Sequence, residues 1–343
     1  MNLTVTSAPH IRSGNTTQRT MLDVLIALVP ALIAGVVLFG LRALVLTVIS
    51  AAGCVVAELL VNLVMRKKPT VGDLSAVVTG VLLAFSLPAS CPYWVVLVGD
   101  AFAIIVVKGL IGGLGQNVFN PALGGRALIM LFWPATITRY TTESVSALNF
   151  GAVDIVSSST PLQTMARPAL PDASLLDMFL GKIGGCIGEV CTLALLIGLA
   201  YLLYRRVISW RIPVSFIGSV AVLCLIFGHE GYGRFDWMLL NVCSGGLVLG
   251  AFFMATDYST SPVTLKGQLV FGLGCGVLTV LIRYFGSYPE GVSYAILIMN
   301  CCTWGVDKLT RPRQFGVSAE DVKAAKAAKK AAKKQAKEGA ANG

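Results

Sequence analysis

Charge is what this sequence has least of. Only 13% of its 343 residues are Asp, Glu, Lys or Arg, where a soluble domain carries about 25%. With 55% hydrophobic residues and a mean hydropathy of +0.77, the chain falls outside the ordinary soluble enzymes and into the polytopic membrane class. Acid is scarcer than base, 17 residues against 27, for a net charge of +10. Part of that excess is a tail, since from Ser318 to Gly343 seven lysines face only Glu320, Asp321 and Glu338. Basic residues without interleaved aromatics point to anionic lipid and away from nucleic acid. Histidine is nearly absent: His10 and His229 lie in terminal and loop regions and are given no chemistry. The nine cysteines include no CxxC pair and have no histidine near them, so no metal site is expected. Most lie in apolar runs and read as small packing residues. The first twenty residues are polar and do not read as a signal peptide.

What is present is a series of apolar runs. A span takes about 20 such residues. Ten candidates follow: about 21–39, 43–65, 74–88, 93–112, 118–135, 183–204, 211–228, 237–255, 266–285 and 291–306. Lysine and arginine set the orientation. With the N-terminus inside, the inner segments hold Arg66, Lys67, Lys68, Lys108, Arg205, Arg206, Arg211, Lys266, Lys308 and the tail. The outer ones hold scattered Arg42, Arg139, Arg167, Lys182, Arg234 and Arg283. Both termini are then cytoplasmic, and the long loop over 136–182 is extracytoplasmic. That loop carries DIVSSSTPLQ (154–163), with four successive hydroxyls from Ser157 to Thr160. By its residues alone the patch reads as a solvated linker.

Five spans on each side of the loop suggest an inverted repeat, because an odd number of crossings flips the second half. Two pairs of segments support it. LLAFSLPASCPYW (82–94) and AFFMATDYSTSPVT (251–264) are apolar runs ending in polar, proline-bearing breaks. GLGQNVFNPALGGRALIM (113–130) and GSYPEGVSYAILIMN (286–300) pair a Gly-rich entry with a helix. Broken helices at matched positions mark a binding site. The expected site combines Asn117 and Asn120 with Thr256, Asp257 and Glu290. The expected architecture is an all-α polytopic membrane protein, with about ten transmembrane helices in two inverted five-helix repeats with broken helices. Its parts are 1–20, a cytoplasmic segment; 21–135, the first repeat; 136–182, the outer loop; 183–307, the second repeat; and 308–343, a Lys/Ala-rich cytoplasmic tail.

Taken together, SAPHIRSGNTTQRTMLDVLIALVPA (7–31), GGLGQNVFNPALGGRA (112–127), GGCIGEV (184–190), SWRIP (209–213), FFMATDYSTSP (252–262), YPEGVSYAILIMN (288–300) and DKLTRPR (307–313) are highly specific. On them the chain resembles the D-type component of the Rnf complex, the ion-pumping ferredoxin:NAD oxidoreductase of bacterial membranes. It is similar, more distantly, to the B-type component of the sodium-pumping NADH:quinone oxidoreductase. The resemblance runs from about Ser7 to Gly316. It implies FMN attached through a phosphodiester to Thr160 by a separate flavin transferase working outside the cytoplasm. The family signature has Gly and Ala where this chain has Ser158 and Ser159, and Gly reaches backbone conformations that Ser disfavours. The resemblance also implies riboflavin near Asn117, Asn120 and Asp257. The implied partners are the A-, B-, C-, E- and G-type subunits, above all the G-type flavoprotein, in a bacterial inner membrane.

Acids at membrane depth are costly and default to functional candidates. These are Asp23, Glu58, Asp100 and Glu189, with Arg126 as the counter-charge in the bundle; Asp100 and Glu58 rank first for an ion pathway. Asp23 near the inner boundary also reads as a helix cap. GLGCG (272–276) reads as close helix packing and not as a phosphate loop. The expected function is electron transfer between ferredoxin and NAD coupled to Na⁺ or H⁺ movement, with no residue catalytic in this chain alone. Two rivals stay open: a quinone-linked B-type subunit, and a flavin-free channel or transporter for a small solute.

Overall fold

A computed structural model describes residues 16–66, 70–112, 116–140, 160–165, 174–228, 233–286 and 290–312. Every regular element among them is helical. The first half holds α1 (Thr17–Phe39), α2 (Leu41–Val64), α3 (Ser75–Phe85), α4 (Tyr93–Ala101), which runs on as a π-helix over Phe102–Leu110, α5 (Pro121–Phe132) and a turn α6 (Pro134–Ile137). Short helices α7 (Pro161–Met165) and α8 (Leu175–Leu180) lie between the halves. The second half holds α9 (Thr192–Tyr204), α10 (Arg211–Phe227), α11 (Arg234–Cys243), α12 (Leu247–Leu249), which runs on as a π-helix over Gly250–Met254, α13 (Leu265–Phe285) and α14 (Val292–Thr310).

Four of these, α1, α2, the continuous helix Tyr93–Leu110 and α13, are long and apolar enough to cross a membrane singly. The pair Arg234–Cys243 and Leu247–Met254, bent by 65°, makes a fifth if it is counted as one span. Helices α3, α5, α9 and α10 are apolar but shorter. The run expected over 183–204 becomes helical only at Thr192. Its Gly-rich start, 183–191, is coil, because three glycines in nine residues favour turns over helix. Where spans break, buried arginines take up the freed carbonyls. Arg42 donates to Ala89 O at 2.8 Å and Cys91 O at 3.2 Å. Arg283 donates to Asn241 O at 2.6 Å and Ser244 O at 3.2 Å, at the bend after α11. Without water, such carbonyls need a donor from the protein.

The outer surface is apolar as well as the interior, and several charges are buried. Leu22, Ile26, Val29, Ile33 and Val37 form an open apolar stripe on α1, while Asp23, Arg42, Glu58, Asp100, Arg126 and Glu189 are buried. In lipid, apolar burial does not drive helices together, so small residues and polar bonds do. Helix α13 meets α10 through Gly272 and Gly276, one turn apart, set against Ser215 and Ser219. Gly198 of α9 lies against the Ala27 backbone of α1. Also between α1 and α9, Asp23 accepts from Tyr201 Oη at 2.9 Å and from Arg205 Nη2 at 3.2 Å. Asp23 therefore ties two helices together, where the sequence suggested a cap.

Candidate functional site

The bundle has two polar ends. One is a cavity of about 370 Å³, lined by α1, α3 and α5, both π-helical segments and the residues after α9. Its wall is built locally from the two breaks. Asn120 is the N-cap of α5, with Pro121 at the first helical position; its Oδ1 accepts from Ala122 N at 3.0 Å and Leu123 N at 3.3 Å. Asn-Pro is a sequence that stops one segment and starts the next. The Asn120 Nδ2 donates to Met254 O at 3.2 Å, so this one side chain joins the two halves. Asn117 lies beside it, where Gly112 is required: a Cβ there would meet Asn117 Cα at 2.8 Å. From the second half, Asp257 accepts from Ser259 Oγ at 2.9 Å, Ser259 N at 3.4 Å and Thr260 Oγ1 at 3.3 Å. This Asx-type turn follows directly on the π-helical end. Asn117, Asn120, Thr256 and Asp257, expected together, do line one cavity. Its size is that of a site for a small organic ligand, apolar with a few convergent polar groups.

Glu290, expected there, lies at the other end. Helices α5 and α14 run antiparallel. Asn300 lies against Asn120: with its amide oxygen turned toward Asn120 N it accepts from that N–H at 3.2 Å, and its amide nitrogen donates to Ile296 O at 3.3 Å. Ten residues earlier, just before the start of α14, Glu290 meets Arg126 instead. Arg126 also donates to Glu189 Oε1 at 2.7 Å, and Tyr140 Oη donates to Glu290 Oε1 at 2.7 Å. Arg126 is 2% exposed and so sets one positive charge between two acids inside the protein. Cys186, Glu189 and Glu290 present ligand atoms within 4.8 Å of one another. The guanidinium already sits on both carboxylates there.

Thr160 adjoins this cluster. Together with Glu189 and Glu290 it lines a cavity of only about 20 Å³. It is the N-cap of α7: Gln163 N donates to Thr160 Oγ1 at 3.2 Å, and Thr160 N donates to Gln163 Oε1 at 3.3 Å. This is a capping box, legible as TPLQ, which sequence reasoning passed over. The residue expected to be open is 8% exposed. Ser157, Ser158 and Ser159 lie outside the described residues, as do 1–15 and the tail from 313.

Glu58 and Asp100 lie in neither cavity's lining. Glu58 accepts from Lys108 Nζ at 2.5 Å and from Thr70 Oγ1 at 2.9 Å. Asp100 is fully buried among α2, α3 and α4, within hydrogen-bond reach of Ser50 and Cys54. Sequence reasoning did not find Lys108 as the partner of Glu58, although Lys108 is the only lysine inside an apolar run of the first half.

Buried acids paired with buried bases, bent helices with π-helical segments, and apolar helices long enough to cross a membrane mark a membrane protein whose regular elements, among the described residues, are all helical. The chain belongs to the NQR2, RnfD, RnfE family, whose model matches residues 4–316. It is 46% identical to the D-type component of a Na⁺-translocating ferredoxin:NAD⁺ oxidoreductase complex of Acetobacterium woodii, over 95% of this chain and 99% of that one. It is 42% identical to the D-type component of the proton-translocating ferredoxin:NAD⁺ oxidoreductase complex of Clostridium ljungdahlii, over 91% and 96%. It is 34% identical to the D-type component of an ion-translocating oxidoreductase complex of Actinobacillus succinogenes, over 91% and 97%. These relatives are subunits of ion-translocating oxidoreductase complexes.

Proposed function

We propose that this chain is the D-type membrane subunit of an Rnf complex, carrying electrons between ferredoxin and NAD while an ion crosses the membrane. The observation that carries this reading is end-to-end similarity to the D-type components of ferredoxin:NAD⁺ oxidoreductase complexes. One of those relatives is named for Na⁺ and the other for protons. The partners are the A-, B-, C-, E- and G-type subunits, in a bacterial inner membrane. Both termini are cytoplasmic, and the segment around Thr160 faces outward toward the G-type flavoprotein.

The architecture we propose is two inverted five-helix halves. Matched packing supports it. Helix α2 packs on α3 and α4 as α10 packs on α11 and α13, α4 packs on α5 as α13 packs on α14, and α1 meets α9.

Two flavins fit this reading differently. Riboflavin suits the 370 Å³ cavity, where Asn117 and Asp257 supply polar atoms and Phe252 and Phe253 supply apolar wall. Asn120 spends its side chain on the cap and on Met254, so it shapes the cavity more than it addresses a ligand. A covalent FMN on Thr160 does not fit the closed conformation of α7: a cavity of 20 Å³ holds about one water. Attachment by the transferase therefore requires α7 to swing out, breaking the capping box. The facing Glu189 and Glu290 also disfavour a phosphate turned inward, since like charges repel at short range in a low dielectric. When bound, a flavin supplies one-electron exchange, while the protein supplies position and electrostatics.

The test is a denaturing gel of the subunit, made with its flavin transferase and viewed under ultraviolet light. A fluorescent band that vanishes in Thr160→Ala supports the reading. A dark wild-type band favours a flavin-free transporter of similar architecture.

A further inference from the structure

Ser50, in the middle of α2, has two acceptors and one proton. Its hydroxyl lies 2.8 Å from Gly80 O and 2.6 Å from Asp100 Oδ1, both at hydrogen-bond distance. A hydroxyl carries a single donor. The Gly80 carbonyl can only accept, so it takes the Ser50 proton. The contact of 2.6 Å to Asp100 then needs a hydrogen from the other side. A protonated Asp100 provides it: Oδ1–H donates to Ser50 Oγ, which donates to Gly80 O. The Cys54 thiol, 3.3 Å from the same Oδ1, still finds an acceptor lone pair there. The second oxygen, Oδ2, is buried with no hydrogen-bond partner. It packs against Gly53, where a Cβ would lie 3.0 Å from it. With no cation in ion-pair contact, a bare carboxylate oxygen costs far more in such a place than the bare carbonyl oxygen of a neutral acid; Glu58, whose Oε2 is also unpartnered, has the Lys108 ammonium on its other oxygen.

No counter-charge lies within ion-pair distance of Asp100 among the described residues. The elements packed on it are α2, α3 and α5, with its own π-helical extension. Helix α2 brings Cys54, Glu58 and Arg42, the last held on Ala89 and Cys91. Helix α3 has no titratable group. Helix α5 brings Arg126, held by Glu189 and Glu290. The π-helical segment brings Lys108, held by Glu58.

Ser50, Cys54, Glu58 and Asn62 follow at four-residue intervals and so share one face of α2. Asp100 stands at the deep end of this file, near the middle of the 18-residue helix Tyr93–Leu110. At the shallow end Lys108 Nζ bridges Glu58 and, at 2.7 Å, Ser75 Oγ. Both Lys108 and Ser75 line the large cavity. Glu58 Oε2 is buried and has no hydrogen-bond partner, which leaves an acceptor in the file.

We infer that Asp100 is a proton-binding site within the membrane, filled at rest, and loaded from the large cavity through the Lys108–Glu58 pair and Cys54. Loading forms the Oδ1–H bond and cancels the carboxylate charge; unloading returns the proton along the same file. A sodium site is the wrong fit. A hard cation takes about six oxygens, and here Ser50 and one carboxylate stand beside a thiol, a soft ligand. The inference is independent of which flavins the chain carries.

Infrared spectra of the purified whole complex in lipid test it. A carboxylic-acid C=O band present in wild type, retained in Asp100→Glu and absent in Asp100→Asn is expected. A wild-type spectrum without a band that Asp100→Asn removes overturns it. Ser50→Ala keeps the carboxyl and covers the case where Asp100→Asn fails to assemble. It must shift the band, since it removes the acceptor of the acid proton; an unmoved band overturns the assignment. In D₂O the band exchanges its proton, and Glu58→Gln is expected to slow that exchange several-fold. An unchanged rate overturns the path.

Discussion

Arg126 shows how one residue holds a membrane interior together. Its guanidinium serves Glu189 and Glu290 at once, and Tyr140 supports the second acid. A buried ion pair adds little net stability, but removing one member leaves an uncompensated charge and costs about 3–5 kcal/mol. Arg126→Gln strands two carboxylates, so the purified complex should unfold at a clearly lower temperature. Adding Glu189→Gln should recover part of the loss, the coupling a double-mutant cycle reads. Equal melting of wild type and Arg126→Gln would show that the three side chains do not act as a unit. At this scale the sequence was half legible. An arginine in an apolar run needs a counter-charge, and that much the composition of the run dictates. Which acids answer it, one just before α9 and one just before α14, depends on helix packing that no local pattern carries. The same holds for Asp100: its depth was legible, but its contacts with Ser50 and Cys54 were not. At Thr160 only the expected exposure differs, because a hydroxyl-rich loop looks open even where TPLQ closes a capping box over its own threonine.

Among the elements, the contact between α10 and α13 gives the sharpest prediction. Gly272 and Gly276 let the backbones approach, and a Cβ at Gly276 would meet Phe216 O at 2.8 Å. Overpacking of this kind costs about 1–3 kcal/mol, and a leucine exceeds a single Cβ. Gly276→Leu should lower complex yield and thermal stability, while Gly218→Leu, where a Cβ meets nothing within 4 Å, should leave both unchanged. Equal effects from the two would mean that helix propensity, not packing, governs the site. GLGCG announced this contact, because small residues one helical turn apart have few other uses in lipid. Apolar runs placed most helices for the same reason. The bend between α11 and α12 and the two π-helical segments were not legible, since hydropathy reports which residues avoid water and not where a backbone turns. The late start of α9 follows from glycine content, which a window of mean hydropathy averages away.

For the whole molecule, the two polar ends are separate and should answer to separate changes. Thr160 sits against the Arg126 cluster, while the large cavity opens among Asn117, Asp257, Val24 and Lys108. Val24 is half-buried in the cavity wall, so Val24→Trp adds bulk to the space without entering a close-packed core. If riboflavin occupies that cavity, acid extraction of the Val24→Trp complex should release less flavin than wild type. With FMN attached at Thr160 as proposed, the subunit band should stay fluorescent on a denaturing gel, because Val24 lies outside the lining around Thr160. Thr160→Ala should do the reverse, darkening the gel band and leaving extractable flavin in place. Joint loss of both signals in Val24→Trp, with the complex still assembled, would mean that the ends are not independent. The cavity's ligand would then have to be sought among the groups that position α7. The asymmetry has a physical root in the packing. Asn120 ties the halves at the cavity end through the Met254 carbonyl, and Arg126 ties them at the other through two carboxylates. Each end therefore has its own bond between halves. A relative shift of the halves would strain both bonds.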